Sequence, residues 1–160
     1  MMADHWRIVP SVPVMNDTRG PALKHMGVEF LGFHGQDNES LRARMAVDER
    51  TRQRFGVLHG GASVFLAESL GSYAAQLTID SATQRAVGLD INANHVSPAR
   101  SGYVIGMATP QHIGSRTQVW AIRIEDEKAR LVCVCRLTMM IVTLSAQERM
   151  SEPGHHEFLL

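Results

Sequence analysis

The sequence is poor in cysteine, has no surplus of charge of either sign and contains no long hydrophobic run. Its two cysteines, Cys133 and Cys135, are separated by one residue. On a strand they share a face but are badly placed for a mutual disulfide. With no CxxC pair and no second cysteine cluster, neither a structural zinc site nor a disulfide framework is supported. Lys and Arg together number 16, as do Asp and Glu, so no global field selects nucleic acid or a membrane as the partner. The opening MMADHWRIVPSVPV lacks a basic segment followed by a long apolar run, and no stretch reaches the length of a membrane span. These absences predict a soluble cytoplasmic protein. Two familiar site patterns are missing as well. Gly60-Gly61 is neither a GxGxxG nor a P-loop pattern, and Ser63, Ser69 and Ser72 have no GxSxG setting. His155-His156 reads as a solvated terminus, not a metal site.

What is present is an ordered series of apolar patterns. At 160 residues the chain fits one domain, able to bury roughly two thirds of the surface of its unfolded form. Residues 1–20, broken by Pro10, Pro13 and Arg19-Gly20-Pro21, read as a flexible N-terminal arm. A domain over 21–144 follows, then a polar tail over 145–160. A short helix is predicted at 21–26, with Pro21 in its first turn. Strands are predicted at 28–33 and 41–47, joined by the turn His34-Gly35-Gln36-Asp37-Asn38. The polar loop 48–56 leads to His59-Gly60-Gly61, which opens ASVFLAESLGSYAAQLT, a proline-free helical stretch that is apolar nearly all round and is therefore predicted to be buried on every side. From residue 85 the period changes to two, giving strands at 87–96, 103–109, 118–125 and 130–142. Their short links predict an antiparallel meander. The fold class is α+β: a curved antiparallel sheet wrapped around one long central helix, with an oligomer expected to cover what the single helix leaves open.

Glu68 stands out within that helix. An ionised carboxylate between Leu66, Ala67 and Leu70 is costly unless it is paired or its pKa rises. Ser72 lies one turn on. The helix start supplies free N–H groups near Gly60 and Gly61 and the positive end of the helix dipole, an arrangement able to polarise a carbonyl and hold the oxyanion formed on attack. With Gln53 and His59 nearby in sequence, these groups meet the requirements of acyl transfer. The competing bland reading makes Glu68 an exposed or ion-paired residue and His59 a satisfied loop histidine.

The blocks DERTRQRFGVLHGGASVFLAESLGSYAA, VGLDINANHV, HIGSRTQVW and RLTMMIV resemble, in order, the hotdog-fold acyl-CoA thioesterases of the phenylacetate-pathway and 4-hydroxybenzoyl-CoA type. The resemblance covers about residues 25–143. Within the family it is nearest to the group of 1,4-dihydroxy-2-naphthoyl-CoA hydrolases and enterobactin proofreading thioesterases. It implies hydrolysis of an aromatic or medium-chain acyl-CoA with no cofactor. Glu68 would be nucleophile or general base, the Gly60 amide would bind the thioester oxygen, His59 and Gln53 would place the carbonyl, and Ser72 would orient the carboxylate or its water. It also implies a site shared by two subunits of a homodimer or of a homotetramer built as a dimer of dimers. Coenzyme A would lie along Gly88, His95, Ser97, Arg100, His112, Gly114, Ser115 and Arg116. The chain departs from the pattern where relatives carry Arg two residues after the histidine of NANH. Here Ser97-Pro98 follows, and Arg100 is the candidate replacement. Phe55, Phe65, Leu66 and Tyr73 are the candidate shapers of the acyl pocket. The alternatives are clearance of misacylated acyl-carrier proteins, a non-catalytic acyl-CoA-binding protein, and a dehydratase, whose histidine base would sit in a different motif.

Overall fold

In the computed structural model, which describes residues 3–151 (the last two by backbone alone), the long apolar segment forms α3, Gly60–Gln76. Before it come α1 Val12–Thr18, α2 Pro21–Met26, β1 Val28–His34 and β2 Ser40–Ala46. After it come β3 Gln84–His95, β4 Tyr103–Ile113, β5 Thr117–Asp126, β6 Leu131–Thr143 and α4 Ala146–Ser151. The tail beyond 151, with His155 and His156, lies outside the described residues. Six strands form one sheet in the order β1-β2-β4-β5-β6-β3, every neighbouring pair antiparallel. The sheet wraps α3, which touches β2, β3, β4, β5 and β6.

Period-two burial sets the inner face. β5 buries Gln118, Trp120, Ile122 and Ile124 and alternates them with Val119, Ala121 and Arg123. On β6, Cys133, Cys135, Leu137, Met139 and Ile141 point inward. The two cysteine sulfurs lie 3.6 Å apart, and burial pushes the Cys135 thiol up to about 12. They are core residues, with no thiolate to react.

Three expectations are corrected. First, α3 is not buried on every side. Its covered stripe is two adjacent rows, Ala62-Leu66-Leu70-Ala74 and Ser63-Ala67-Gly71-Ala75, while Phe65, Glu68, Ser69, Ser72 and Tyr73 are half-buried. Small residues bring the stripe close to the sheet: a Cβ on Gly71 would fall 2.5 Å from Leu137 Cδ2. Leu66 is fully enclosed there. Second, the last four strands are not a meander, because β3 pairs with β6 and never with β4. The seven-residue link 96–102 spans up to about 23 Å of extended chain, enough to step across the two intervening strands of a curved sheet. Since β3 and β4 run in opposite directions, it need not return along the sheet.

Third, residues 12–18 of the arm are helical. Pro13, read as a breaker, sits in the first turn of α1, where its missing N–H costs nothing. Met15 is completely buried and Trp6 nearly so, with Trp6 Nε1 donating to the Asn38 carbonyl at 2.7 Å. Asn16 supplies the free edge of β1 with a donor and an acceptor, bonding the Phe30 carbonyl at 3.0 Å and the Phe30 N–H at 2.9 Å.

Candidate functional site

His59 occupies the N-cap of α3, where Ser, Thr, Asp or Asn is usual. Its Nδ1 accepts from Gly61 N–H at 2.8 Å, which leaves Nε2 as the ring's donor. The N–H groups of Ala62 and Ser63 both donate to the His59 carbonyl, at 2.9 and 3.2 Å. Among the described residues Gly60 N–H is left without an acceptor. The preceding loop is held against the body by Leu58 N–H to the Ala99 carbonyl (2.8 Å) and His59 N–H to the Thr51 carbonyl (2.8 Å). At its tip Gln53 Oε1 accepts from Phe55 N–H at 3.0 Å, which leaves the Gln53 amide NH2 as a donor. A cavity of 370 Å³ gathers Gln53, Gly60, His95 and Ser97 with Ser63 and Val132. His95 packs against the helix start, where a Cβ on Gly60 would lie 2.9 Å from its Nε2.

Glu68 lies elsewhere. Eight residues along α3 from Gly60, it is about 12 Å away down the axis. It is half-buried and has no hydrogen-bond or ion-pair partner among the described residues. Burial alone raises its carboxyl above the usual range. The carboxylate rests on β3 at Gly88, where a Cβ would fall 2.4 Å from Oε1. β3 is irregular between Gly88 and Asp90, leaving Leu89 outside the ladder and exposed, and bulges of this kind re-aim side chains beside working sites. Ser72 does not bond Glu68. Its Oγ sits 3.8 Å from Met139 Sδ and lines a second cavity, of 380 Å³, formed by the far half of α3, the start of β3 and residues 18–23.

The expected coenzyme A residues divide likewise. Gly88 lies under Glu68, and the turn Gly114-Ser115-Arg116 is at the same end of the sheet, since Thr117 and Val87 both pair with Met140. His112 folds over that turn, its Nε2 2.6 Å from where a Cβ on Gly114 would be, and Ser115 and Arg116 are exposed. His95 and Ser97 are at the other end, about 20 Å away by the six-residue spacing of their β6 partners. Arg100 lies just beyond them, in a 480 Å³ hollow with Lys128 and Arg130 that meets the first cavity at Pro98 and Ala99. Arg130 is held there by Asp126 at 3.0 Å. Of the candidate pocket shapers, Tyr73 lines the second cavity and stacks on Phe30, and Phe55 stands 68% exposed at the loop tip.

Sequence reasoning missed Ser63 in the first cavity and Arg19, Leu23 and Arg85 in the second. No local pattern marks them, and Arg19 fell in the segment assigned as an arm. Among the described residues no three His, Cys, Asp or Glu side chains gather as a metal-binding set, and no helix is long and apolar enough to cross a membrane.

Comparison with known proteins gives the family. The family model described as the thioesterase superfamily matches residues 55–133. The 1,4-dihydroxy-2-naphthoyl-CoA hydrolase of Escherichia coli is 57% identical over 127 residues, 76% of this chain and 93% of that protein. The proofreading thioesterase EntH of Klebsiella pneumoniae is 50% identical over 133 residues, 82% of this chain and 94% of that one. The crystal structure of a thioesterase from Haemophilus influenzae aligns with a TM-score of 0.82 at 42% identity, covering 95% of this chain and 99% of that one. At these identities and coverages the chain belongs to the thioesterase superfamily, as a hotdog-fold thioester hydrolase.

Proposed function

We propose that the chain hydrolyses an acyl-CoA thioester to the free acid and coenzyme A, at a site assembled from Glu68 of one copy and the α3 start of another. The observation that carries this reading is the Glu68 carboxylate, without a partner among the described residues and held over Gly88, in a helix whose first amide likewise finds no acceptor among them. A half-buried carboxylate without a partner and an open N–H at a helix start are the kinds of groups a substrate can use. As nucleophile, a Glu68 oxygen bonds the thioester carbon while the carbonyl oxygen takes up charge at Gly60 N–H. The C–S bond then breaks, the thiolate takes a proton from solvent, and water hydrolyses the mixed anhydride. As general base, Glu68 instead takes a proton from the attacking water. In either role the working form is the carboxylate.

Distances within one chain support a shared site. Within one chain Glu68 is about 12 Å from Gly60, too far to share a carbonyl carbon and its oxygen. β3 is an edge strand with Val87 and Leu89 exposed, a surface suited to a second copy. A two-fold axis there exchanges the two halves, and a dimer of dimers is the expected larger form. Gln53 and the Nε2–H of His59 donate near the carbonyl. The pantetheine arm follows the cavity past His95 and Ser97 to phosphates at Arg100 and Lys128. That hollow also contains Asp126 and Glu127, a mixture better suited to two phosphates than to a broad acidic carrier protein. The expected setting is the cytoplasm, where buried free thiols stay reduced. Thiol release from matched CoA and carrier-protein thioesters, by wild type and Glu68→Gln, tests the reading. Turnover of CoA thioesters that collapses in the variant is expected, and full activity in Glu68→Gln would overturn it.

A further inference from the structure

We infer that α1 is an edge guard: Asn16 and Arg19 occupy the groups of β1 at which β1 of another dimer would pair, and so end assembly at a closed oligomer. The inference rests on the proposed dimer at β3 and adds what limits its growth. An open sheet has two edge strands, here β1 and β3, and an unguarded edge is a template for another strand. The two edges differ. Gln76 Oε1 accepts from Ala86 N–H at 3.1 Å near the start of β3, but along residues 87–93 no side chain of another element bonds the backbone among the described residues. Val87 and Leu89 are exposed there. A two-fold axis at β3 joins two sheets into one, whose ends are then the two β1 strands. If these could pair as well, every dimer would take on another at either end, without closure.

β1 is closed group by group. Backbone groups that face away from the neighbouring strand recur at every second residue, here Val28 and Phe30. The Asn16 carboxamide meets both groups of Phe30, accepting from its N–H at 2.9 Å and donating to its carbonyl at 3.0 Å. Those are the two bonds that an antiparallel partner residue exchanges, so one side chain stands in for a strand. Arg19 Nη1 donates to the Val28 carbonyl at 2.7 Å and to Asn16 Oδ1 at 3.2 Å, which fixes the carboxamide. One turn before Asn16, Val12 covers Gly32, where a Cβ would fall 2.9 Å from its Cγ2. The ladder to β2 is irregular between Phe30 and Gly32, and such a bulge turns the rest of the edge away from a partner. α1 is seven residues long, with no side-chain cap and no acid in its first turn, so its place depends on packing. Met15, completely buried, supplies it.

The test is the mass of the full chain against concentration, by sedimentation velocity, together with amide exchange at Phe30. The variants are Asn16→Ala, the pair Asn16→Ala with Arg19→Met, and that pair with Leu31→Glu added. Wild type should reach a mass that rises no further with concentration, whereas both guard variants should go on growing, the pair further. In dilute solution their Phe30 N–H should exchange about tenfold faster than in wild type. At high concentration the protection should return, as a second β1 takes the place of Asn16. Leu31 is exposed, and in a pairing centred on Phe30 it opposes Glu29 of the incoming strand, so Leu31→Glu sets like charges across the pair and should restore the wild-type mass. An open Phe30 amide without growth would overturn the inference. So would growth that Leu31→Glu leaves unchanged, or that brings no renewed protection at Phe30, since those mark unfolding and not strand pairing. Should the pair not fold, Asn16→Ala carries the same readouts with Met15 and Arg19 in place. The two readings fail separately. A monomeric wild type whose guard variants stop at dimers removes the shared site at β3 and keeps the guard, whereas a dimeric or larger wild type whose guard variants do not grow removes the guard alone.

Discussion

The first turn of α3 and its middle carry opposite halves of one chemistry. At the first turn the helix offers donors: Gly60 N–H has no acceptor among the described residues, His59 caps through Nδ1 and keeps Nε2 as a donor, and Gln53 has a spare amide. Two turns on, the helix offers an acceptor, the Glu68 carboxylate, in a place where burial disfavours its charge. Glycine makes room at both, but for different neighbours: at Gly60 for an imidazole, which can rotate away, and at Gly88 for the carboxylate itself. The donor half stabilises charge that develops on an oxygen, and the acceptor half delivers the electron pair that creates it. Separation along the helix prevents the halves from neutralising each other within one chain.

The largest effect expected is from Glu68→Gln, which should cut kcat by about 10²–10⁴-fold with KM little changed, measured by thiol release. Refolding those chains together with chains carrying both Gln53→Ala and His59→Ala sharpens the comparison. If each site draws one half from each copy, mixed dimers restore up to about a quarter of the wild-type sites, whereas a site within one chain would yield no recovery. Gly88→Ala comes next. Its Cβ displaces the carboxylate, and a loss of about 10²-fold in kcat is expected for a misplaced reacting group. Gly60→Ala should cost about tenfold or less, because the neighbour that must yield is the movable end of His95. A loss larger than that of Gly88→Ala would reverse the ranking of the two ends.

The smallest effect is on stability. Burial raises Glu68, so between the ordinary carboxyl range and its raised value the folded chain binds more protons than the unfolded one. Stability therefore falls as pH rises through that window. Glu68→Gln should remove the fall, giving a thermal midpoint above that of wild type at neutral pH and level with it at the acid side of the window. Activity should run the other way, rising with pH as the carboxylate forms.

Much of this was legible because each feature has a local cause. Alternation marked the strands, the proline-free run after Gly60-Gly61 marked α3, and Glu68 declared itself as a charge among Leu66, Ala67 and Leu70. α1 was hidden because Pro13 breaks a helix in its interior yet favours its first turn, and only the burial of Met15 and Trp6 shows which applies. The neighbour of β3 was hidden because a short link sets direction and end but not adjacency once the sheet curves. The place of Arg19 was hidden because it is set by bonds to Val28 and Asn16 and by a cavity wall, none of which has a spacing signature.

By itself, then, the sequence determined the order and type of the main elements, the central helix and the identity of its one anomalous carboxylate. Those follow from periodicity, capping and the cost of burying charge, which act between neighbours in the chain. Only the tertiary structure decided that β3 closes the sheet against β6, that Gly88 accommodates Glu68, and that an N-terminal helix pair walls the second cavity. These depend on packing between residues far apart in sequence, where the curvature of the sheet around α3 sets which of them meet.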